Sequence, residues 1–134
     1  MNIIDKAKEL NLPAGEYVIV GSGPLDALGI RTAGDLDIAV TPKLFVQLQA
    51  TGEWEEEERY GKLFLMREGI DIIPQLSWEA YPTTTAEAIA SAMILDGIYL
   101  MNLEELKKFK TAMGREKDFA DIARIDAYLA KQNA

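Results

Sequence analysis

Apolar positions along this chain follow two rhythms, a three-to-four spacing near both ends and short β-prone runs between them. Ile3, Ile4, Ala7 and Leu10 fall on one helical face, so residues 3–10 read as a helix that Pro13 and Gly15 stop. Tyr17–Val20 is an unbroken β-prone run, short enough for a buried strand. Residues 25–28 read as a brief helix and residues 35–40 as a second strand. Thr41-Pro42 supplies an N-cap followed by proline at the first helical position, predicting a helix over 43–50. Residues 54–59 and 63–67, separated by Tyr60-Gly61-Lys62, read as a hairpin, and residues 70–73 as a strand after Gly69. Thr85 is expected to cap a helix of small residues over 86–93, and Asp96-Gly97 to turn the chain into a strand over 98–101. Asn102 with Glu105 three residues later is a capping box, opening a helix that Gly114 ends. A last helix fills 116–131. Strands alternating with helices in this way predict an α/β (α+β) fold, a small mixed β-sheet flanked by helices.

Composition narrows the chemistry. At 134 residues, with no linker, repeat or low-complexity stretch, residues 1–134 are expected to form one domain. The chain has neither histidine nor cysteine, which excludes the usual zinc sites, disulfides, thiol nucleophiles and Ser-His-Asp arrangements. Net charge is −8, from 22 acids against 14 bases, a poor electrostatic match to a polyanion. The run Glu55–Glu58 reads as a solvated strand edge, its sharper alternative being an acidic wall for a cationic substrate. Lys107, Lys108, Lys110, Arg115 and Lys117 form the opposing basic cluster. No apolar run has the length of a membrane span, and MNIIDKAKELNLP lacks the pattern of a secretory signal. The expected location is cytoplasmic, with no membrane partner. Trp54 and Trp78 are expected as core or hairpin aromatics.

The candidate chemistry sits between residues 17 and 71. In a strand, residues i and i+2 share a face, so Asp35 and Asp37 point one way while Leu36, Ile38 and Val40 point into a core. Adjacent carboxylates raise each other's pKa unless a cation lies between them, and a hard cation such as Mg²⁺ is the natural resolution. Gly21-Ser22-Gly23 before Pro24 offers backbone N–H groups at the start of a helix, a phosphate cradle. Asp71, alone among Ile70, Ile72 and Ile73, joins Asp35 and Asp37 around the same cation if the two strands are neighbours. Three such carboxylates make a two-metal site feasible. Rival motifs fail: Asp26 occupies the third glycine position of a dinucleotide fingerprint, no P-loop lysine follows, and the remainder of an EF-hand is missing.

Gly21-Ser22, a spacer of twelve residues, Asp35-x-Asp37 and the later Asp71 resemble the signature of the nucleotidyltransferase fold superfamily. Arg31 before the Asp pair is similar to the arginine-led approach of many members. Arg115-Glu-Lys117-Asp118-Phe-Ala-Asp121 resembles the charged helix of the abortive-infection type nucleotidyltransferase toxins and their relatives. The resemblance implies transfer of an NMP from an NTP to an acceptor hydroxyl, with small molecules, proteins and tRNA all used as acceptors within the superfamily. It implies that Gly21, Ser22 and Gly23 hold phosphate and that Asp35 and Asp37 bind Mg²⁺ or Mn²⁺. Asp71 would complete the metal site or act as base. Lys110 is expected to clamp the triphosphate; Arg31, as a clamp, and Lys117 are the further nucleotide-contacting candidates, with a Lys117–Asp121 helix ion pair as the structural alternative. Gly23-Pro24 departs from the small residues usual at the helix start. The few residues after Met101 lead to the expectation of a protein partner or second subunit to complete acceptor binding. The competing reading is a catalytically lapsed module, such as one half of a toxin–antitoxin pair.

Overall fold

Seven short extended runs cannot each satisfy their backbone groups alone, and in the computed structural model, which describes residues 2–133, they form one sheet. The strands are β1 (Tyr17–Val20), β2 (Leu36–Val40), β3 (Glu55–Arg59), β4 (Lys62–Arg67), β5 (Ile70–Ile73), β6 (Met93–Leu95) and β7 (Ile98–Leu100). The helices are α1 (Ile3–Leu10), α2 (Gly23–Ala27), α3 (Pro42–Ala50), α4 (Thr85–Ala90), α5 (Leu103–Met113) and α6 (Glu116–Gln132). Strand order is β3-β4-β5-β2-β1-β7-β6, a mixed sheet in which β2 pairs parallel to β5 and antiparallel to β1. The fold is therefore mixed α and β, with helices against a mixed sheet, and none of the described helices is long and apolar enough to cross a membrane.

Strand alternation divides the core in two. On one face Tyr17, Ile19, Leu36, Ile38, Val40, Ile70 and Ile72 pack against Ile3 and Ala7 of α1 and Leu44 of α3. On the other, Val18, Val20 and Ala39 pack against Ala88 of α4, Leu103 and Leu106 of α5 and Ile125 of α6. Each fully buried Val, Leu or Ile contributes about 1.5–3 kcal/mol relative to exposure, so both helical layers are held mainly by these contacts. Asp37 shares the second face with Ala39, which places the candidate chemistry beneath α5 and α6 rather than α1.

Local signals locate most boundaries. Thr41 accepts a hydrogen bond from the Leu44 N–H, Asn102 from the Glu105 N–H, and Gly114 ends α5 with φ 67°. Several boundaries differ from the sequence-based expectation: β2 begins at Leu36 and leaves Asp35 outside it, α2 spans Gly23–Ala27 rather than 25–28, and β7 ends at Leu100. Thr84, not Thr85, caps α4, in a reciprocal box with Glu87, because the Thr85 hydroxyl turns inward to the Leu76 N–H and Gln75 Oε1. The helix then stops at Ala90, which frees Met93–Leu95 to pair with β7 around Asp96-Gly97. Lys62 belongs to β4, paired with Arg59, so the hairpin turn is only Tyr60-Gly61, with φ of 52° and 75°. The glutamates of β3 are exposed on the sheet edge, as expected of a solvated edge. The opposite edge, β6, instead exposes Ile94 and Leu95. Both tryptophans are structural: Trp54 is buried beneath the Arg67 guanidinium, and Trp78 packs with Tyr81 and Phe109.

The seat of α2 is tight. A Cβ on buried Gly23 would lie 2.4 Å from Ile19 Cγ2, whereas one on Gly34 meets nothing within 4 Å. Gly23→Ala should therefore lower stability by about 1–3 kcal/mol through overpacking. Gly34→Ala should leave it near wild type. Urea midpoints of both variants check this, and an unshifted midpoint for Gly23→Ala would mean that α2 is not held against β1.

Candidate functional site

The register of the central strands assembles the site. Val20 of β1 lies opposite Asp37 of β2, Asp37 opposite Asp71 of β5, and Asp71 opposite Met66 of β4. Residues directly opposite share a face, so Asp37 and Asp71 are lateral neighbours on strands about 4.8 Å apart. Burial raises the Asp37 pKa to about 6, with the negative charges of Asp71 and then Asp35 adding to it and Arg59 and Lys110 acting against it. The chain leaves β1 through Gly21 at φ 68°, where an added Cβ would stand 2.8 Å from Asp37 Oδ2. Glycine is thus required both for the left-handed turn and for its close approach to the carboxylate. Ser22 occupies the N-cap of α2, yet its side chain makes no capping bond. Because α2 has only five residues, any attraction for an anion here comes from the turn's own N–H and hydroxyl groups rather than from a long helix.

Asp35 takes a different position from its partners. It is exposed, just ahead of β2, and its Oδ1 lies 3.7 Å from the Cβ position of Gly69, a point that Lys6 Nζ approaches to 3.2 Å. Among the described residues no three acidic side chains form a group placed to hold a metal ion. The carboxylates that the fold brings together side by side are Asp37 and Asp71, with Asp35 acting on Asp37 only as a nearby charge. Asp71 already has one cation: Arg59 Nη1 donates to its Oδ2 at 3.2 Å. Arg59 is further held by Glu57, Met66 Sδ and the face of Phe64, 5.7 Å from the ring centre.

A second charged cluster locks α5 and α6 together, and it corrects the expectation for the basic residues. Lys110, expected at the triphosphate, is buried and donates to Asp121 Oδ2 at 2.9 Å, with Asp118 at 3.8 Å. Arg31, expected as a clamp, is committed to Asp121 through two bonds of 2.7 Å. Lys117 is exposed and makes no ion pair among the described residues; Asp121 instead takes its helix partner from Arg124 at 3.0 Å. The physical reason is competition: a buried carboxylate is matched by the cations that the fold brings nearest, and three others reach Asp121 first. Burial alone would raise the Asp121 pKa, but hydrogen bonds from Arg31 and Lys110 outweigh it and hold the carboxyl well below the usual range. Asp118 is likewise lowered, burial being overcome by Arg115, which bonds it through both Nε and the backbone N–H. No buried side-chain nitrogen or oxygen lacks a partner among the described residues.

Two arginines belong to the neighbourhood of the Asp pair without having been singled out as contacts from sequence. Arg115, half exposed at the α5–α6 corner, lies close enough to Asp37 for their charges to interact. Arg59 was findable by parity, since Glu57, Arg59, Phe64 and Met66 fall on the Asp71 face once the turn is two residues long. A groove of about 500 Å³ along α5 and α6, lined by Glu104, Lys107, Lys108, Thr111 and Asp126, does not include the carboxylate pair. In comparisons with known proteins, the sequence matches no family model, no curated protein and no solved structure.

The raised Asp37 pKa makes a signed prediction. The folded state binds this proton more tightly than the unfolded chain, so the contribution is full below about 4 and is lost as pH rises through about 6. Wild type should therefore lose about 1–3 kcal/mol from this group between pH 4 and 7 in EDTA, a decline absent from Asp37→Asn. Urea melts across that range measure it; equal slopes in both proteins would show that Asp37 is not strained by its neighbours.

Lys110 generates the opposite kind of test. Lys110→Met removes the buried cation that links Asp118 to Asp121 between α5 and α6, and should cost about 3–5 kcal/mol of stability. Lys117→Met should cost less than about 0.5 kcal/mol, the range of an ordinary surface substitution. Similar chemical-denaturation midpoints for the two variants would contradict the structural role given to Lys110.

Proposed function

We propose that this protein is a metal-dependent nucleotidyltransferase, moving an NMP from an NTP to an acceptor hydroxyl. The observation that carries the reading is the lateral Asp37–Asp71 pair with the Gly21-Ser22 turn against it. A half-buried carboxylate pushed up to about 6 by its neighbours is a site short of positive charge, and its donors are hard oxygens. Those donors fit Mg²⁺ or Mn²⁺, which Asp37 would hold, with Asp71 and Asp35 close enough to add charge. When bound, the ion supplies Lewis-acid stabilisation of charge on phosphoryl oxygens.

The protein's own groups account for the remaining tasks. Gly21 and Ser22 receive the β- and γ-phosphates through backbone N–H groups and an uncommitted hydroxyl. The acceptor oxygen attacks the α-phosphorus, forming a new P–O bond as the α–β bridging bond breaks and pyrophosphate leaves. The hydroxyl proton passes to Asp71, whose Oδ2 is tied to Arg59 while Oδ1 stays open. Arg115 offsets charge near Asp37, and Lys110 acts at one remove by fixing α5 against α6. Positioning and fixed charge supply the rate, as in phosphoryl chemistry generally. The acceptor is a small molecule, a protein or tRNA, and a protein partner or second copy would complete its binding, in the cytoplasm.

One observation favours a second reading, a lapsed member acting as a binding module within a toxin–antitoxin pair. Arg59 already neutralises Asp71, and the three aspartates do not converge as a metal cluster. Turnover separates the two. Mg²⁺ with an NTP at 100 times its Kd should stabilise wild type by about 2.7 kcal/mol, and Asp37→Asn should abolish that gain. Asp71→Asn should retain the gain but lose turnover by about a hundredfold or more. An undiminished thermal shift in Asp37→Asn would sink the metal assignment, while binding without turnover in wild type would favour the lapsed module.

A further inference from the structure

Arg59 reaches the carboxylate pair from a distance. Its backbone ends β3 opposite Lys62, whereas Asp71 lies opposite Met66, towards the far end of β4. By strand alternation Glu57, Arg59, Phe64, Met66 and Asp71 share one face of the sheet. The Arg59 side chain lies back along that face. Its guanidinium sits over the Phe64 ring, 5.7 Å from the centre, and Nη2 donates to Met66 Sδ at 3.0 Å. Its tip, Nη1, donates to Asp71 Oδ2 at 3.2 Å. Glu57 accepts from Nε and Nη2 at 3.2 and 3.3 Å.

These anchors are unequal. Glu57 takes two bonds in a fork, while Asp71 takes one. Breaking the Asp71 bond leaves the fork, the sulfur contact and the ring in place, so Arg59 can let go without leaving its seat. Asp71 has no such reserve. Arg59 is its one ion-pair partner among the described residues, and Asp37 lies beside it on the next strand. Two adjacent carboxylates without a cation disfavour each other's charge. A cation entering the pair and the Arg59 guanidinium therefore compete for the same negative charge, and each weakens the other's hold by the same factor.

We propose that Arg59 is the built-in counter-cation of the Asp37–Asp71 pair, held on Asp71 until a divalent ion enters and thereby setting the affinity of the pair for metal. The inference rests on the metal-dependent reading above. It makes the Arg59–Asp71 contact a brake on metal binding rather than a sign that the site has lapsed.

The test titrates MnCl₂ alone into the protein by calorimetry. Arg59→Met keeps an unbranched side chain against Phe64 and Met66 but removes the charge. It should bind Mn²⁺ about tenfold more tightly than wild type, through loss of one charge-assisted competitor. Arg67→Met removes the same charge from the neighbouring strand, where the guanidinium lies over Trp54 instead of on the pair, and should bind as wild type does. Thermal melts supply a second measurement. In EDTA, Arg59→Met should melt below wild type, and the gap should narrow at saturating Mn²⁺. Equal or weaker Mn²⁺ binding by Arg59→Met, an equal gain in Arg67→Met, or a gap that Mn²⁺ does not narrow overturns the role of Arg59 alone. Absence of Mn²⁺ binding in wild type and Arg59→Met alike overturns the metal reading together with it.

Discussion

A carboxylate buried as deeply as Asp121 stays ionised only if the fold delivers cations to it, and the rest of the helical layer is arranged around that demand. Arg31 comes from the segment between α2 and β2, Lys110 from α5 and Arg124 from α6 itself. One side chain thus ties three pieces of chain together across as many as 90 residues of sequence. Apolar contacts of Leu106 and Ile125 give α5 and α6 their affinity for the sheet, but they are non-directional. The charged cluster supplies the direction. It fixes which face of α6 turns inward and how the α5–α6 corner is presented to the strands.

That arrangement has an electrostatic residue. Arg31, Lys110, Arg115 and Arg124 share only Asp118 and Asp121, so the cluster is positively charged on balance. The Asp37–Asp71 pair on the sheet below is negatively charged on balance, even with Arg59 beside it. The helical layer therefore lowers the cost of keeping two carboxylates adjacent without reaching over to quench them. Lys110 does this through space, its charge felt at Asp37 while its ammonium is bonded elsewhere. A lysine that touched the pair directly would neutralise it; one held back leaves both carboxylates charged.

Much of this was legible in the chain because its signals are local. Strand parity turns Asp37 away from Leu36, Ile38 and Val40, but the Asp35 it pairs with Asp37 falls just ahead of β2; Gly21 follows from a turn that tolerates no Cβ. Thr41-Pro42 and Gly114 mark helix ends by side-chain chemistry that acts within four residues. What was hidden depends on distant partners. Parity shows which way Asp71 points but not that β5 lies beside β2, which is a matter of strand order. Helical spacing offers Lys117 to Asp121, yet cannot reveal that Arg31 and Lys110 claim the same carboxylate. The start of the short strand β6 was concealed because Ser91 and Ala92 continue the small-residue run of α4 up to Met93, and the cap fell one residue off within Thr83-Thr84-Thr85.

The unlike borders of the sheet have a consequence for symmetry. Along β3 four consecutive glutamates face solvent, so a second strand approaching that border meets repulsion. Along β6 the exposed side chains are Ile94 and Leu95, and no such barrier exists. Head-to-tail stacking of copies would need the apolar border of one to join the acidic border of the next, and the acidic border refuses it. Joining through β6 alone is necessarily two-fold, and it buries the only permissive border of both copies. Pairing of two copies through β6 would therefore close on itself rather than extend the sheet further.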